Sequence, residues 1–322
     1  MPGQSDSQRQ ADKAAVLLAI DAFTAEVVER LEGAGVGCVL LKGPTLAEWL
    51  YPDGVRTYED CDLLVDPDRR PDAETILGSL GFRPVDVPPA ADGLRPPASR
   101  CWLRDWERID VHDTFWGLVA EPAEVWAAVA AESVTQVVAR RPVRVPSLPA
   151  RLLLLALHAV HHGSAAPQPL EDLGRAFEQG PDRAWREALV LARRLGGERA
   201  FLAAFRLLPA GVERARTLGL PCPITLESAL AIAGLPVSEG FERLTRAEGP
   251  RARLRLARAE LLPSAEFMRW RYALARRGGA GLAMAYPLRL ASIAVSVARA
   301  LRAGLALGAG RRRTRHPARR RR

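Results

Sequence analysis

Two short apolar runs constrain the fold of this chain more than any other feature: VGCVLL at residues 36–41 and CDLLV at residues 61–65. Continuous apolar runs of this length, rich in valine and leucine, are typical of strands that are buried on both faces. Pro44 lies between them, and proline is well tolerated in the first turn of a helix. The sequence therefore predicts a strand, a helix and a second strand in succession.

The pattern of apolar residues along the chain changes near residues 142–149. Before this point, helical and strand patterns alternate; after it, only helical periodicity remains. The predicted helices and strands of the first part are 11–31, 71–80, 82–87, 100–104 and 107–113, with a surface loop at 88–97. The domain prediction is a disordered segment at 1–13, a domain of helices and strands at 14–146, an all-helical domain at 147–308 and a disordered arginine-rich tail at 309–322.

The positive charge of the chain is concentrated in one segment. The net charge is +9, but residues 311–322 (RRRTRHPARRRR) contain eight arginines and no acidic residue, which leaves +1 for the remainder (9 − 8). A block of like charges repels itself and cannot build a core. The tail is either a solvated segment or a loose attachment to an anionic partner, namely RNA, DNA or lipid.

Cysteine usage and the first residues favour a cytoplasmic location. Four cysteines are scattered without a paired spacing, and MPGQSDSQRQADK lacks the apolar segment of a signal peptide. The apolar stretch at 282–310 is interrupted by Arg289, Arg299 and Arg302. Because spanning needs about 18 to 20 apolar residues, we expect no transmembrane segment. The stretch is predicted to be an amphipathic helix, packed on the domain or lying at a membrane surface.

An acidic pair at the second strand indicates phosphate chemistry. If residues 60–65 are extended, Asp60 and Asp62 project from the same face about 6.5 to 7 Å apart. Side-by-side carboxylates repel unless a cation lies between them, and Mg²⁺ takes one or two carboxylates together with substrate phosphates. Alternation in the strand at 107–113 places Asp110 on the same face as Arg108 and His112, so Asp110 is the candidate third acid. An Asp-x-Asp at a strand start also occurs by chance.

Basic residues near these acids are candidate phosphate ligands. Only Lys13 and Lys42 are lysines among 46 basic residues, so a compact point charge at Lys42 suits a phosphate, although a surface lysine is the alternative. Arg56 either binds a triphosphate or neutralises the acids. His112 is a partner of the acids or a proton shuttle. In HAVHH, His158 and His162 have a spacing that allows zinc, but structural or acceptor-site roles are favoured since no HExxH glutamate is present.

The ordered motifs resemble those of the uncharacterised nucleotidyltransferase family, within the polymerase-β-like superfamily, over roughly residues 14–290. The motifs that carry this resemblance are LLKGP (40–44), LYP (50–52), Arg56, DCDLLV (60–65), IDVH (109–112), LHAVHH (157–162), Asp172–Leu173 and LPSAEFMRWRY (262–272). The resemblance implies an α+β fold, in which a polymerase-β-like domain with a mixed sheet and flanking helices precedes an all-helical domain.

The resemblance also implies an activity: Mg²⁺-dependent, or Mn²⁺-dependent, transfer of a nucleoside monophosphate from a nucleoside triphosphate to an acceptor, with release of pyrophosphate. Asp60, Asp62 and Asp110 would be the catalytic metal ligands. The nucleotide site would be at the place where the wider superfamily has Gly-Ser, using Lys42, Gly43, Thr45 and Arg56, with His112, His158 and His162 as supporting residues. The acceptor remains open among an RNA end, a protein and a small molecule. The alternatives are a non-catalytic binding module with a relic metal site and a phosphohydrolase that uses water as acceptor.

Overall fold

The computed structural model describes residues 6–86, 88, 99–223, 226–232, 247 and 249–314. These residues divide into two compact units. The sheet unit comprises the described residues within Met1–Val85, Pro97–Leu154 and Gln179–Gly197. The helical unit comprises those within Asp86–Pro96, Leu155–Glu178 and Glu198–Arg322.

The sheet unit is built around a five-stranded mixed sheet. Its strands are β1 (Cys38–Leu40), β2 (Cys61–Val65), β3 (Arg83–Pro84), β4 (Ser99–Arg104) and β5 (Glu107–His112). The order is β1-β2-β5-β4-β3, in which β2 and β5 are parallel and all other pairs are antiparallel. This confirms the predicted mixed sheet. The helices of the unit are α1 (Asp6–Gly33), α2 (Pro44–Leu50), α3 (Arg70–Ser79), α4 (Pro122–Ala131) and α7 (Asp182–Arg194).

The core of the sheet unit lies between α1 and the sheet. Ile20, Phe23, Val27 and Leu31 recur at helical spacing on α1, and all four are buried. All five residues of β2 are buried as well, which explains its uninterrupted apolar pattern apart from Asp62. The core thus fixes β2 from both faces, and with it the aspartate that β2 carries.

Three features of the sheet unit differ from the sequence prediction, the first being helix α4, which was not predicted. Helix α1 begins at Asp6, although disorder was predicted through Lys13. Five of the eight residues at 6–13 are good helix formers (Gln, Arg, Ala or Lys), and Gln8 Nε2 donates to Asp12 Oδ1 (3.0 Å). A separate hairpin of β6 (Val134–Val138) and β7 (Arg141–Val145) was not predicted. Its turn residues, Ala139 and Arg140, have φ values of 44° and 66°. Glycine or asparagine usually marks such a turn, and neither is present.

The helical unit confirms the predicted helical C-terminal part. Its elements are α5 (Leu148–His162, beginning in the sheet unit), α6 (Pro167–Gln179), α8 (Glu198–Ala204), α9 (Pro209–Leu218), α10 (Leu226–Ile232), α11 (Gly249–Leu261), α12 (Ala265–Arg271) and α13 (Gly278–Thr314). The rings of Phe177, Phe201 and Phe205 pack together, with centroids 5.1 and 5.5 Å apart. A second cluster joins Met268, Ala275 and Ala285.

Helix α13 includes the apolar stretch at 282–310, for which the sequence left open whether it packs on the domain or lies at a membrane surface. It continues through residue 314, so the part of the predicted disordered tail at 309–314 is helical. Residues 315–322 and most of the predicted loop at 88–97 lie outside the described residues. By length and composition, Gly278–Arg299 is able to cross a membrane, with a mean hydropathy of 1.4, and 11% of it is buried.

Candidate active site

The parallel pairing of β2 and β5 brings the candidate acids together. Asp62 on β2 is in register with Asp110 on β5, although 48 positions separate them in the sequence. Along β5, Ile109 and Val111 are buried while the alternate residues are more exposed, as the sequence predicted. Asp60 immediately precedes β2 and is partly buried. The carboxylates therefore lie on two neighbouring strands of one sheet.

Asp62 is the buried centre of this group, with its side chain 5% exposed. Its Oδ1 atom accepts a hydrogen bond from Lys42 Nζ (3.0 Å) and lies 2.9 Å from His112 Nε2. Lys42 follows β1, whereas His112 ends β5, so the two partners approach from strands on either side. The His112 ring also stacks on Phe115, with centroids 5.5 Å apart. Two nitrogen groups and the sheet thus fix the position of a single carboxylate.

Asp110 is held by a different cation. The Arg108 guanidinium donates to both carboxylate oxygens, from Nε to Oδ1 (3.3 Å) and from Nη2 to Oδ2 (2.8 Å). Cys101 pairs with Asp110 across β4 and β5, and burial, followed by the Asp110 charge, raises the pKa of this thiol to about 11. The side chain of Arg108 is about half exposed, at 48%, so its ion pair with Asp110 is accessible to solvent.

The pKa of the Asp60 carboxyl shows the effect of burial and of the neighbouring negative charges. Burial raises the pKa of its carboxyl to about 6; the Asp62 carboxylate and, less strongly, that of Asp110 act in the same direction. Lys42 and Arg108 lower this pKa, but they do not outweigh the other contributions. The three acids therefore interact with one another, and the fold keeps them close despite their repulsion.

Lys42 and Gly43 lie in the turn between β1 and α2, and Pro44 and Thr45 are the first residues of α2. Gly43 has a φ of 69°, which favours glycine, and its carbonyl accepts hydrogen bonds from the first helical amides. The ring of Tyr58 would lie 3.4 Å from a side chain at this position. Thr45 is fully buried and donates its hydroxyl to the Leu41 carbonyl (3.2 Å). Of these residues, only Lys42 has a side-chain atom that donates a hydrogen bond to one of the acids, Asp62.

Arg56 lies two positions before Tyr58, and its charge acts on the Tyr58 hydroxyl. Its side chain is buried, with 6% of the residue exposed. Burial and the hydrogen bond to Asp21 (2.7 Å) raise the pKa of Tyr58, and the charge of Arg56 opposes this increase. Arg56 is thus a buried positive charge that acts on Tyr58, the residue whose ring lies beside Gly43.

The predicted histidines on α5 lie in the helical unit. The His158 and His162 rings meet edge to face with centroids 4.4 Å apart, and His161 contacts His162 at 5.1 Å. Their supporting role for the carboxylates stays a prediction.

Sequence reasoning did not assign Arg108 to Asp110 or Tyr58 to the Gly43 turn. Strand alternation had already placed Arg108 on the face of Asp110, and that signal was sufficient to find the ion pair. Tyr58 lies in an irregular segment before β2 and offered no such signal.

The donor set of the acids suits a divalent cation that is shared with a substrate. Within the described part of the chain, no three His, Cys, Asp or Glu side chains converge tightly enough to form a complete metal cage. Mg²⁺ rarely requires such a cage, because one or two carboxylates and substrate phosphates satisfy it. Asp62 and Asp110, in register on neighbouring strands, supply two such carboxylates, and Asp60 lies close enough to interact with both.

The mixed sheet, with carboxylates on two adjacent strands, agrees with the fold that the resemblance to nucleotidyltransferases implies. The family model of uncharacterised nucleotidyltransferases matches residues 6–210, more than half of the chain, and the chain belongs to this family. No curated protein matches the chain.

Two solved structures are similar to this chain at low identity. One is the solution structure of the antibiotic-resistance factor ANT(2″)-Ia, at 20% identity, covering 64% of this chain and 98% of that chain with a TM-score of 0.35. The other is the crystal structure of ANT(2″)-Ia in complex with adenylyl-2″-tobramycin, at 17% identity, covering 61% and 97% with a TM-score of 0.34.

Proposed function

We propose that this protein is a Mg²⁺-dependent nucleotidyltransferase that transfers a nucleoside monophosphate from a nucleoside triphosphate to an acceptor and releases pyrophosphate. The observation that carries the proposal is the register of Asp62 with Asp110 on parallel neighbouring strands, with Asp60 beside them. Membership of the nucleotidyltransferase family supports the class of reaction.

In the proposed reaction, an acceptor oxygen forms a bond to the α-phosphorus while the bond between the α-phosphorus and the bridging oxygen breaks. Pyrophosphate leaves, and the acceptor's proton passes to a carboxylate or to water. Asp60, Asp62 and Asp110 would hold Mg²⁺, which when bound neutralises phosphate charge and lowers the pKa of the acceptor hydroxyl. We assign Asp110 to the acceptor side of the site.

The other residues of the proposed site place positive charge near the phosphates or restrain the carboxylates. Lys42 supplies a compact ammonium group that is one-fifth exposed and already lies on Asp62, so it is suited to contact a phosphate without leaving that carboxylate. His112 restrains Asp62 from the opposite side. Arg56 adds a buried positive charge near Tyr58.

The experiment combines purified protein with each α-labelled nucleoside triphosphate, Mg²⁺ or EDTA, and cell extract as the source of acceptors. Label transfer should require Mg²⁺ and disappear in Asp62→Asn. Asp53→Asn, at an exposed aspartate in the turn after α2, is the matched control and should keep the activity. Transfer that persists in EDTA or in Asp62→Asn would overturn the proposal, and labelled free nucleoside monophosphate as product would identify hydrolysis.

A second candidate, a non-catalytic nucleotide-binding module, is favoured by one observation. Lys42 and Arg108 already neutralise Asp62 and Asp110 through ion pairs. In such a module the triphosphate would bind without Mg²⁺, Asp62→Asn would leave the affinity unchanged, and no label would be transferred. Calorimetric titration of the wild type and Asp62→Asn, with and without Mg²⁺, separates the two candidates.

A further inference from the structure

Helix α13 presents an uncharged apolar face to solvent. Between residues 278 and 298, Arg289 is the single charged residue of the sequence. The exposed side of the helix carries Met284, Leu288 and Val295, of which 60%, 56% and 59% are accessible. Together with Ala291 and Ala298, these residues recur at spacings of three and four, so they form one stripe along the helix. At about 1.5 Å per residue the stripe is about 21 Å long.

The opposite side of α13 is held against the rest of the helical unit. Arg289 donates from Nε and Nη2 to the Glu260 carbonyl (3.0 and 2.7 Å), and the Tyr286 hydroxyl donates to the Pro263 carbonyl (2.8 Å). Ala285 is fully buried in the cluster with Met268. These contacts fix the rotation of the helix, so the single charge points inward and the apolar stripe points outward.

A continuous apolar surface of this kind marks an interaction site, and the charge around it selects the partner. Residues 267–322 contain fifteen arginines and no acidic residue. Eight of the arginines are in residues 311–322, and Arg299 and Arg302 precede them on α13. A second copy docked on the same stripe would present the same basic segment without any acidic residue, so it offers no complementary charge. An anionic bilayer offers both an apolar interior and negative headgroups.

We propose that α13 docks on the surface of an anionic membrane. The stripe of Met284, Leu288, Ala291, Val295 and Ala298 enters the boundary between headgroups and acyl chains, while Arg299 and Arg302 contact lipid phosphates and the positive charge of residues 311–322 strengthens the attraction. The helix lies in the plane of the membrane and does not cross it, because crossing would break the hydrogen bonds of Arg289 and Tyr286. This inference is independent of the proposed nucleotidyl transfer.

The test is co-flotation of the full chain with vesicles of phosphatidylcholine containing one-third phosphatidylglycerol, compared with phosphatidylcholine alone. The double variant Leu288→Glu/Val295→Glu places charge in the stripe, and binding should fall at least tenfold. Val190→Glu/Leu254→Glu is the matched control, because these residues are 64% and 72% exposed outside α13; its binding should match the wild type. Circular dichroism verifies that each variant is folded.

A third variant, in which the eight arginines of 311–322 are replaced by glutamine, tests the electrostatic part. Because one basic residue near an anionic surface contributes roughly a fivefold factor in binding, this variant should lose at least tenfold, and high salt should weaken the wild type in the same direction.

Equal binding to both vesicle types, or full binding by the stripe variant, would overturn the proposal. Resistance of the bound protein to carbonate extraction would also overturn it, because it indicates a helix that spans the membrane. Two further results would do the same: a lipid-free dimer that the stripe variant dissociates, and binding of an RNA oligomer without any binding of vesicles.

Discussion

Replacing Asp60 with asparagine should stabilise the metal-free protein at neutral pH. Asparagine removes the negative charge but keeps the size of the side chain, so it resembles the protonated aspartic acid. The pKa of Asp60 is raised from 3.8 to about 6, first by burial and then by the Asp62 carboxylate. A shift of this size corresponds to about 3 kcal/mol at 1.36 kcal/mol per pH unit. Screening of this partly exposed carboxylate by water reduces the expected gain to about 2 kcal/mol.

The sign of the pH dependence follows from the direction of the shift. Because the folded protein holds the Asp60 proton more tightly than the unfolded chain does, protonation of Asp60 favours folding. This stabilisation is complete below pH 3.8 and is lost as the pH rises through about 6. The wild type and Asp60→Asn should therefore be similar in stability near pH 4 and differ by about 2 kcal/mol at pH 7.5.

Urea denaturation in EDTA, followed by tryptophan fluorescence, measures this difference. Six of the seven tryptophans belong to the sheet unit, and Trp270 belongs to the helical unit, so the signal reports mainly the unit that contains Asp60. Asp53→Asn is the control for removal of an exposed charge and should change the free energy of unfolding by less than about 0.5 kcal/mol. A difference between wild type and Asp60→Asn that is constant with pH, or a variant that is less stable at pH 7.5, would refute the reasoning.

Three further substitutions test the site and its support. In His112→Ala the buried carboxylate loses a restraining partner, and label transfer should fall about 10- to 100-fold while triphosphate affinity changes little. In Lys42→Met the loss of a charge-assisted hydrogen bond should weaken triphosphate binding about tenfold or more, measured by calorimetry, and Lys42→Arg should restore part of it. In Gly37→Ala the new Cβ would lie 2.8 Å from the Trp126 ring, so unfolding in urea should become easier by about 1–3 kcal/mol; Gly54→Ala, with no atom within 4 Å, is its control.

Each of these expectations has a contradicting result. An His112→Ala protein with wild-type turnover would show that the carboxylate needs no second nitrogen. Unchanged affinity in Lys42→Met would remove this lysine from the nucleotide site. Equal stability of the two glycine variants would mean that the Trp126 ring can move aside without cost.

The strands that carry the acids could be predicted from the sequence because burial leaves a direct trace in it. CDLLV is apolar on both faces, and Arg108 to His112 alternates between buried and exposed residues, so the positions of Asp62 and Asp110 followed from the pattern. The pairing of β2 with β5 could not be predicted from these patterns alone. Parallel register depends on long-range packing, and no local signal records which strands become neighbours.

Side-chain directions at the Gly43 turn were also beyond sequence reasoning. The Thr45 hydroxyl donates to the Leu41 carbonyl in the core, as often happens for threonine in a helix, and a contact of its backbone amide with a nucleotide stays a prediction. The hairpin β6–β7 was missed since its turn uses alanine and arginine at positive φ. Local propensity was overruled there by tertiary packing: Val143 and Val145 are buried in the core of the sheet unit.

The parallel pairing of β2 and β5 has a consequence for how the protein folds. Hairpin β4–β5 closes over a two-residue turn, whereas Asp62 meets Asp110 only after 47 intervening residues have been gathered. Contacts of such high sequence separation are slow to form, because loop entropy is lost before any contact is gained. We therefore expect refolding to produce the hairpin first and the carboxylate cluster last. Metal-dependent nucleotide binding would then appear later than secondary structure in a refolding experiment.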